Sequence, residues 1–164
     1  MTSQVLSAQT STTSLDAWVR LLRAHAATTR ALSAELVADH GLTINDYEAL
    51  LLLARAEGGY LKRVELAEQL ILTPSGITRL LDGLERAGYV EKGSCPTDAR
   101  VNYAVLTAAG RAKLEEASSS HVAAVRELFE GRFDEDELAT LAGLLGRLQG
   151  AAGTHGADCS PPPE

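Results

Sequence analysis

The run Thr73-Pro74-Ser75-Gly76-Ile77-Thr78-Arg79-Leu80-Leu81 limits what this chain can become more than any other stretch. Thr73 suits the cap of a helix, because its hydroxyl can accept from the free N–H groups of the first turn. Pro74 suits the first helical position, where a missing N–H costs nothing. Ile77, Leu80, Leu81 and Leu84 then recur at the i, i+3, i+4, i+7 spacing of a buried helix face. Ser75, Gly76, Thr78, Arg79, Asp82 and Arg86 are left for the other side. Just upstream, Val64, Leu66, Ala67 and Leu70 form a shorter apolar stripe that stops at Ile71-Leu72. Two short helices joined by a turn of about three or four residues make a helix-turn-helix.

The following residues narrow the reading. Gly88 ends the second helix, and Tyr89-Val90-Glu91-Lys92 reads as a strand. Gly93 to Arg100 is a polar loop rich in turn residues. Val101 to Leu106 alternates as a second strand, and Thr107 caps a new helix. Tyr60-Leu61-Lys62 supplies a short third strand. Two strands and a loop placed after such a helix form a winged helix-turn-helix. Small polar residues and an arginine at the N-terminal end of its second helix stand where such helices meet base edges. Ser75, Thr78 and Arg79 are therefore candidate DNA contacts, with Arg79 suited to guanine O6 and N7. Gly76 either lets the helix backbone approach DNA or packs closely against a neighbouring helix. Arg86, Lys92, Lys62 and Arg63 are candidates for phosphate.

The ordered set Leu84-Glu85-Arg86-Ala87-Gly88-Tyr89-Val90, Asp98-Ala99-Arg100 and Val105-Leu106-Thr107-Ala108-Ala109-Gly110 resembles the MarR family of bacterial transcription regulators. The resemblance covers about residues 15 to 150. It implies that Arg100 enters the minor groove, where narrowness concentrates negative potential. Asp98 would pair with and aim an arginine. It also implies an effector cleft between the terminal helices and the DNA-binding core, for which Trp18, His25, Asp46 and Tyr47 are candidates.

Residues 1–13 read as a flexible arm rich in Ser and Thr, and residues 151–164 as a flexible tail. Between them residues 14–150 make one domain, mainly α with a small β wing. Ser14 caps a helix that runs to about Asp39, with Leu15, Trp18, Leu22, Ala26, Thr29, Leu32 and Leu36 near heptad spacing. Thr43 caps a second helix, Ile44 to about Glu57, whose Ala49 to Ala54 is apolar nearly all round. Asp46 stands in its first turn, where a carboxylate suits the helix dipole. From Thr107 a helix runs to Glu130, with Ser118-Ser119-Ser120 a weak point by propensity. Asp134-Glu135-Asp136-Glu137 opens a last helix carrying Leu138, Leu141, Leu144, Leu145 and Leu148. The segments 14–40 and 107–150 thus flank the winged helix-turn-helix of 41–106 with apolar stripes that need a partner. In the family resembled, these helices form a homodimer, and twofold symmetry would call for a pseudo-palindromic site with half-sites ~10 bp apart.

The net charge of −7 over 164 residues argues at first against nucleic acid. Its distribution argues back. Residues 59–114 carry eight Lys and Arg against six Asp and Glu, whereas residues 115–164 carry three against ten. Local potential, not the total, binds phosphate.

The four histidines and two cysteines, Cys95 and Cys159, show no metal-binding spacing and no disulfide framework, so neither metal nor cofactor is expected. No apolar run approaches a membrane span, and no signal peptide is visible, which predicts a cytoplasmic protein. A nucleophile elbow, a phosphate loop and a metal motif are all missing, so the chain does not read as an enzyme. The expected function is a dimeric DNA-binding regulator, most often a repressor in the family resembled, released by a small aromatic or phenolic effector. The alternatives are a winged-helix adaptor for protein contacts and a redox-responsive regulator acting through Cys95, whose thiol lies near Lys92 and Arg100.

Overall fold

The computed structural model describes residues 12–94 and 101–149. Six helices and a three-stranded sheet follow in the order α1 (Thr12–His40), α2 (Ile44–Arg55), β1 (Tyr60–Lys62), α3 (Arg63–Gln69), α4 (Pro74–Arg86), β2 (Val90–Ser94), β3 (Asn102–Leu106), α5 (Ala108–Glu130) and α6 (Glu135–Gln149). The mainly α architecture with a small wing agrees with the expectation.

The core sits under α2. Leu50, Leu53, Leu66 and Leu81 are fully buried, and Ala49, Ile77, Leu84, Val90 and Leu114 close around them. Each such leucine contributes about 1.5–3 kcal/mol relative to its exposed state. The α4 face foreseen from spacing is the one that turns inward: Ile77, Leu81 and Leu84 are buried and Leu80 is half-buried.

Helix ends follow local chemistry. Thr43 and Asp46 exchange reciprocal bonds at the start of α2: the Thr43 hydroxyl accepts from the Asp46 N–H, and the Thr43 N–H donates to Asp46 Oδ2 at 2.8 Å. Asp134, expected inside the first turn of α6, instead precedes it. There it accepts from the Glu137 N–H at 2.9 Å, while its own N–H donates to Glu137. Three other expectations need correction. The first helix begins at Thr12, so Ser14 lies within its first turn and does not cap it. The second helix ends at Arg55 rather than Glu57, because a short 3-10 turn at Glu57–Gly59 intervenes, with Gly58 and Gly59 both at positive φ. The serine run is not a weak point. Helix α5 passes through it unbroken, and Ser118 and Ser120 donate back to the Leu114 and Ala117 carbonyls. Tertiary partners on the other side, described below, override their poor propensity.

The sheet order is β1-β3-β2, all antiparallel. Thr107 joins this sheet to the helices. Its hydroxyl caps α5 by accepting from the Gly110 N–H at 3.0 Å and donates to the Gly88 carbonyl at 2.7 Å, while its N–H donates to the Tyr89 carbonyl at 3.1 Å. A Cβ at Gly110 would overlap that Tyr89 carbonyl oxygen. The Leu-Thr-x-x-Gly pattern is therefore a packing solution in which only glycine lets α5 start against the turn between α4 and β2.

Candidate nucleic-acid interface

Helix α4 presents its polar side to solvent in one stripe. Ser75, Thr78, Arg79, Asp82 and Arg86 are all exposed. Thr73 caps the helix, accepting from the Gly76 N–H at 3.1 Å. A Cβ at Gly76 would stand 3.2 Å from Thr73 Oγ1 and 3.6 Å from Leu72 Cβ, so its close neighbours are the cap and turn that precede α4 rather than a neighbouring helix. The glycine makes room for its own cap and for the turn behind it.

Arg63, at the start of α3, donates from its guanidinium to Thr78 Oγ1 at 3.0 Å, and Thr78 in turn donates to the Pro74 carbonyl at 2.8 Å. This braces the two helices across their exposed faces and keeps the Arg63 charge beside the α4 stripe. The other basic candidates differ. Lys62 stands 3.7 Å from the Glu65 carboxylate and Lys92 3.0 Å from that of Glu85, so each ammonium has a local counter-charge. Arg86 donates through Nε to the Asp82 carbonyl at 3.0 Å, which costs it no charge. Arg79 is exposed and, among the described residues, has no hydrogen-bond or ion-pair partner. The available positive charge is therefore concentrated on Arg63, Arg79 and Arg86. Asp98, Arg100 and Cys95 lie outside the described residues.

Between α3, the turn and the start of α4, and the root of the wing at Val101 and Asn102, runs an open groove of about 830 Å³. Its walls are largely apolar, including Val64, Ala67, Ile71 and Ile77. Sequence reasoning missed this feature. The stop at Ile71-Leu72 was legible, but nothing in the spacing revealed that Ile71 would be 91% exposed at φ 54°.

The four effector candidates stand in different surroundings. Trp18 is exposed in the N-terminal half of α1. Tyr47 is buried, its hydroxyl 3.1 Å from Ser118 Oγ and its ring 4.4 Å from that of His121. Asp46 is engaged in the α2 cap. His25 borders an open groove, of about 770 Å³, with Thr29, Arg30, Ser33, Val37 and Ile44.

Where α1, α2 and α5 meet lies a polar seam that spacing did not reveal. His40 contacts Glu116 through Nδ1 at 3.2 Å and Ser120 through Nε2 at 2.7 Å. The bonds from His40 and Lys113 hold the Glu116 carboxyl below its ordinary range. Burial pushes the His121 imidazole below its ordinary value, against a smaller upward pull from Glu35. Among the described residues, no group of three or more His, Cys, Asp and Glu is arranged to hold a metal, and no helix is long and apolar enough to cross a membrane.

Comparison with known proteins gives a consistent picture. A model described as the MarR family matches residues 40–101. The transcriptional repressor YetL of Bacillus subtilis is 34% identical over 100 residues, which are 61% of this chain and 60% of that protein. A helix-turn-helix transcriptional regulator of Bacillus cereus is 30% identical over 131 residues, 80% of this chain and 85% of that one. A MarR family regulator from Streptomyces coelicolor, solved in complex with DNA, superposes with a TM-score of 0.75 at 27% identity, covering 82% of this chain and 84% of that one.

Proposed function

The chain belongs to the MarR family of transcriptional regulators, and from that premise we propose that it binds double-stranded DNA as a twofold dimer and represses transcription from a pseudo-palindromic operator. The observation that carries the reading is the exposed α4 stripe, with an unengaged Arg79 beside Arg63, standing next to the wing. Arg79 is suited to bidentate contact with guanine O6 and N7 in the major groove. Ser75 and Thr78 supply shorter polar contacts to bases or phosphates, and Arg63, Arg86, Lys62 and Lys92 supply the phosphate term. Arg100 takes the minor groove, with Asp98 aiming an arginine.

The dimer part rests on what the isolated chain leaves uncovered. Leu15, Trp18 and Leu22 on α1, Val122 on α5, and Leu144, Leu145 and Leu148 on α6 are all exposed. A second copy of the same helices would bury them and set two recognition helices about one DNA turn apart. Release by a small effector is part of the same proposal. The groove bordered by His25 and Arg30 is the place where an aromatic acid would meet both positive charge and apolar wall.

The test is binding of the purified protein to its own upstream DNA and to a scrambled duplex across a salt series. Specific binding with a steep salt slope is the expected result. Arg79→Ala should weaken it by ~1–3 kcal/mol and relax preference at one position per half-site. Equal affinity for both duplexes at every salt concentration, together with no enrichment from random DNA, would remove the regulator reading.

A further inference from the structure

Ile71 combines two properties that folding disfavours. Its φ of 54° lies in the left-handed region, where among the described residues every other occupant is glycine. That region crowds Cβ against the backbone and is least tolerated by β-branched side chains. Turns of this kind often contain glycine, which adopts the conformation freely. Its side chain is also 91% exposed, more than any other large hydrophobic side chain among the described residues. The backbone around it is fixed: the Ile71 N–H donates to the Glu68 carbonyl and the Leu72 N–H to the Ala67 carbonyl. Ile71 is thus held outward on a firm turn, contributing nothing to the core. Persistent strain at an exposed residue is a mark of contact with something else.

Position says what that something is. Ile71 lies two residues before the Thr73 cap and forms one wall of the groove shared by Val64, Pro74 and Thr78, with Arg63 on its rim. This apolar edge is continuous with the polar stripe of α4, so whatever receives the N-terminal turn of α4 also meets Ile71. The inference rests on the DNA-binding reading above. In the major groove the one apolar group on the base edges is the thymine 5-methyl. We propose that Ile71 is a specificity-determining residue that packs against a thymine 5-methyl group at the edge of each half-site.

The full-length protein is first used to select a consensus from a random duplex library. Affinity is then measured by fluorescence anisotropy on that consensus duplex and on duplexes in which each thymine is replaced singly by deoxyuridine, which removes only the methyl. Wild type should lose about fourfold at one thymine per half-site, the value of one buried methyl-sized group. Ile71→Asn, which keeps a residue tolerant of the left-handed region, and Ile71→Gly should be indifferent to that replacement. Both variants should melt at or above the wild-type temperature, which separates lost contact from lost fold. Wild type insensitive to every deoxyuridine, a consensus without thymine, or the same penalty in wild type and both variants would each overturn the role of Ile71 while leaving DNA binding intact. Failure of wild type to enrich any sequence would instead bring down the reading beneath it, and with it this one. If Ile71→Asn abolished capture of a protein partner but left all DNA affinities unchanged, the edge would be a protein contact and the proposal would fall.

Discussion

The two halves of this chain solve burial differently. In the lobe of α2, α3, α4 and the sheet, apolar side chains find partners within the same chain, and Leu50, Leu53, Leu66 and Leu81 reach complete burial. Along α6 and the N-terminal half of α1 no described residue is buried. Leu15, Trp18, Leu22, Leu144 and Leu148 are each roughly half exposed or more. Both halves are helical and leucine-rich, so composition does not separate them. What separates them is whether the stripe has a partner inside the molecule. The lobe, closed by Leu36 of α1 and by Leu114 and Ala117 of α5, is a complete core, whereas the outer stripes of the terminal helices have no cover among the described residues.

That contrast can be broken first at the joint. Gly110→Val would drive a side chain into the Tyr89 carbonyl, where neither backbone can retreat. A loss of several kcal/mol, enough to unfold the protein at moderate temperature, is expected in a denaturant melt. If the variant melts like wild type, the joint is not rigid and the two halves are not coupled through it.

Next comes the terminal surface. Leu144→Glu combined with Leu148→Glu should leave the lobe folded by circular dichroism. Sedimentation should shift toward the monomer, and operator affinity should fall by roughly 100-fold or more as bivalent binding is lost. A dimer that persists would mean that α6 is not part of the interface.

A smaller effect is expected within the lobe. Thr73→Ala removes the hydroxyl that accepts the Gly76 N–H and should cost about 1 kcal/mol of stability in a urea titration. It should not alter association state, because it lies in the self-sufficient half.

The smallest effect concerns the seam between the halves. Burial depresses the His121 imidazole in the folded protein, so on acidification the unfolded chain takes up that proton first. The contribution of His121 is therefore fully present above about pH 6.5 and is lost as pH falls below it toward the folded value. Melting temperatures measured between neutral and mildly acidic pH should fall for wild type and fall less steeply for His121→Gln. An identical slope in both would exclude this histidine as the source.

Much of the lobe was legible because its signals are local. Thr73-Pro74 announces a helix start, Ile77 to Leu84 carries its own period, and Thr107 caps as expected. Asp46 was readable as a helix-start carboxylate, and that is the part it plays in the fold. What escaped depends on tertiary placement. Nothing in the spacing of Ser118 and Ser120 indicates that Tyr47 and His40 would meet them from 71 and 80 residues away. The basic residues were countable, but which of them keep a free charge depended on Glu65 and Glu85 standing beside Lys62 and Lys92. For Ile71, composition marks an apolar residue and a break; only backbone geometry shows that it is turned outward.

The bonds that Thr107 makes have a mechanical meaning. One side chain ties the turn after α4 at Gly88 to the first turn of α5, and the backbone N–H of the same residue ties Tyr89, just before β2, to that point. Helix α5 runs for 23 residues from there, roughly 34 Å at the rise of an α-helix. A rigid rod of that length pivoting at Thr107 turns a displacement of ~3 Å at its far end into a rotation of about 5° at the base. Strands β2 and β3 and helix α4, clamped to the same pivot, would turn together, so in the dimer proposed above a push between the distant ends of the two copies would change the bite of the pair without reshaping either jaw.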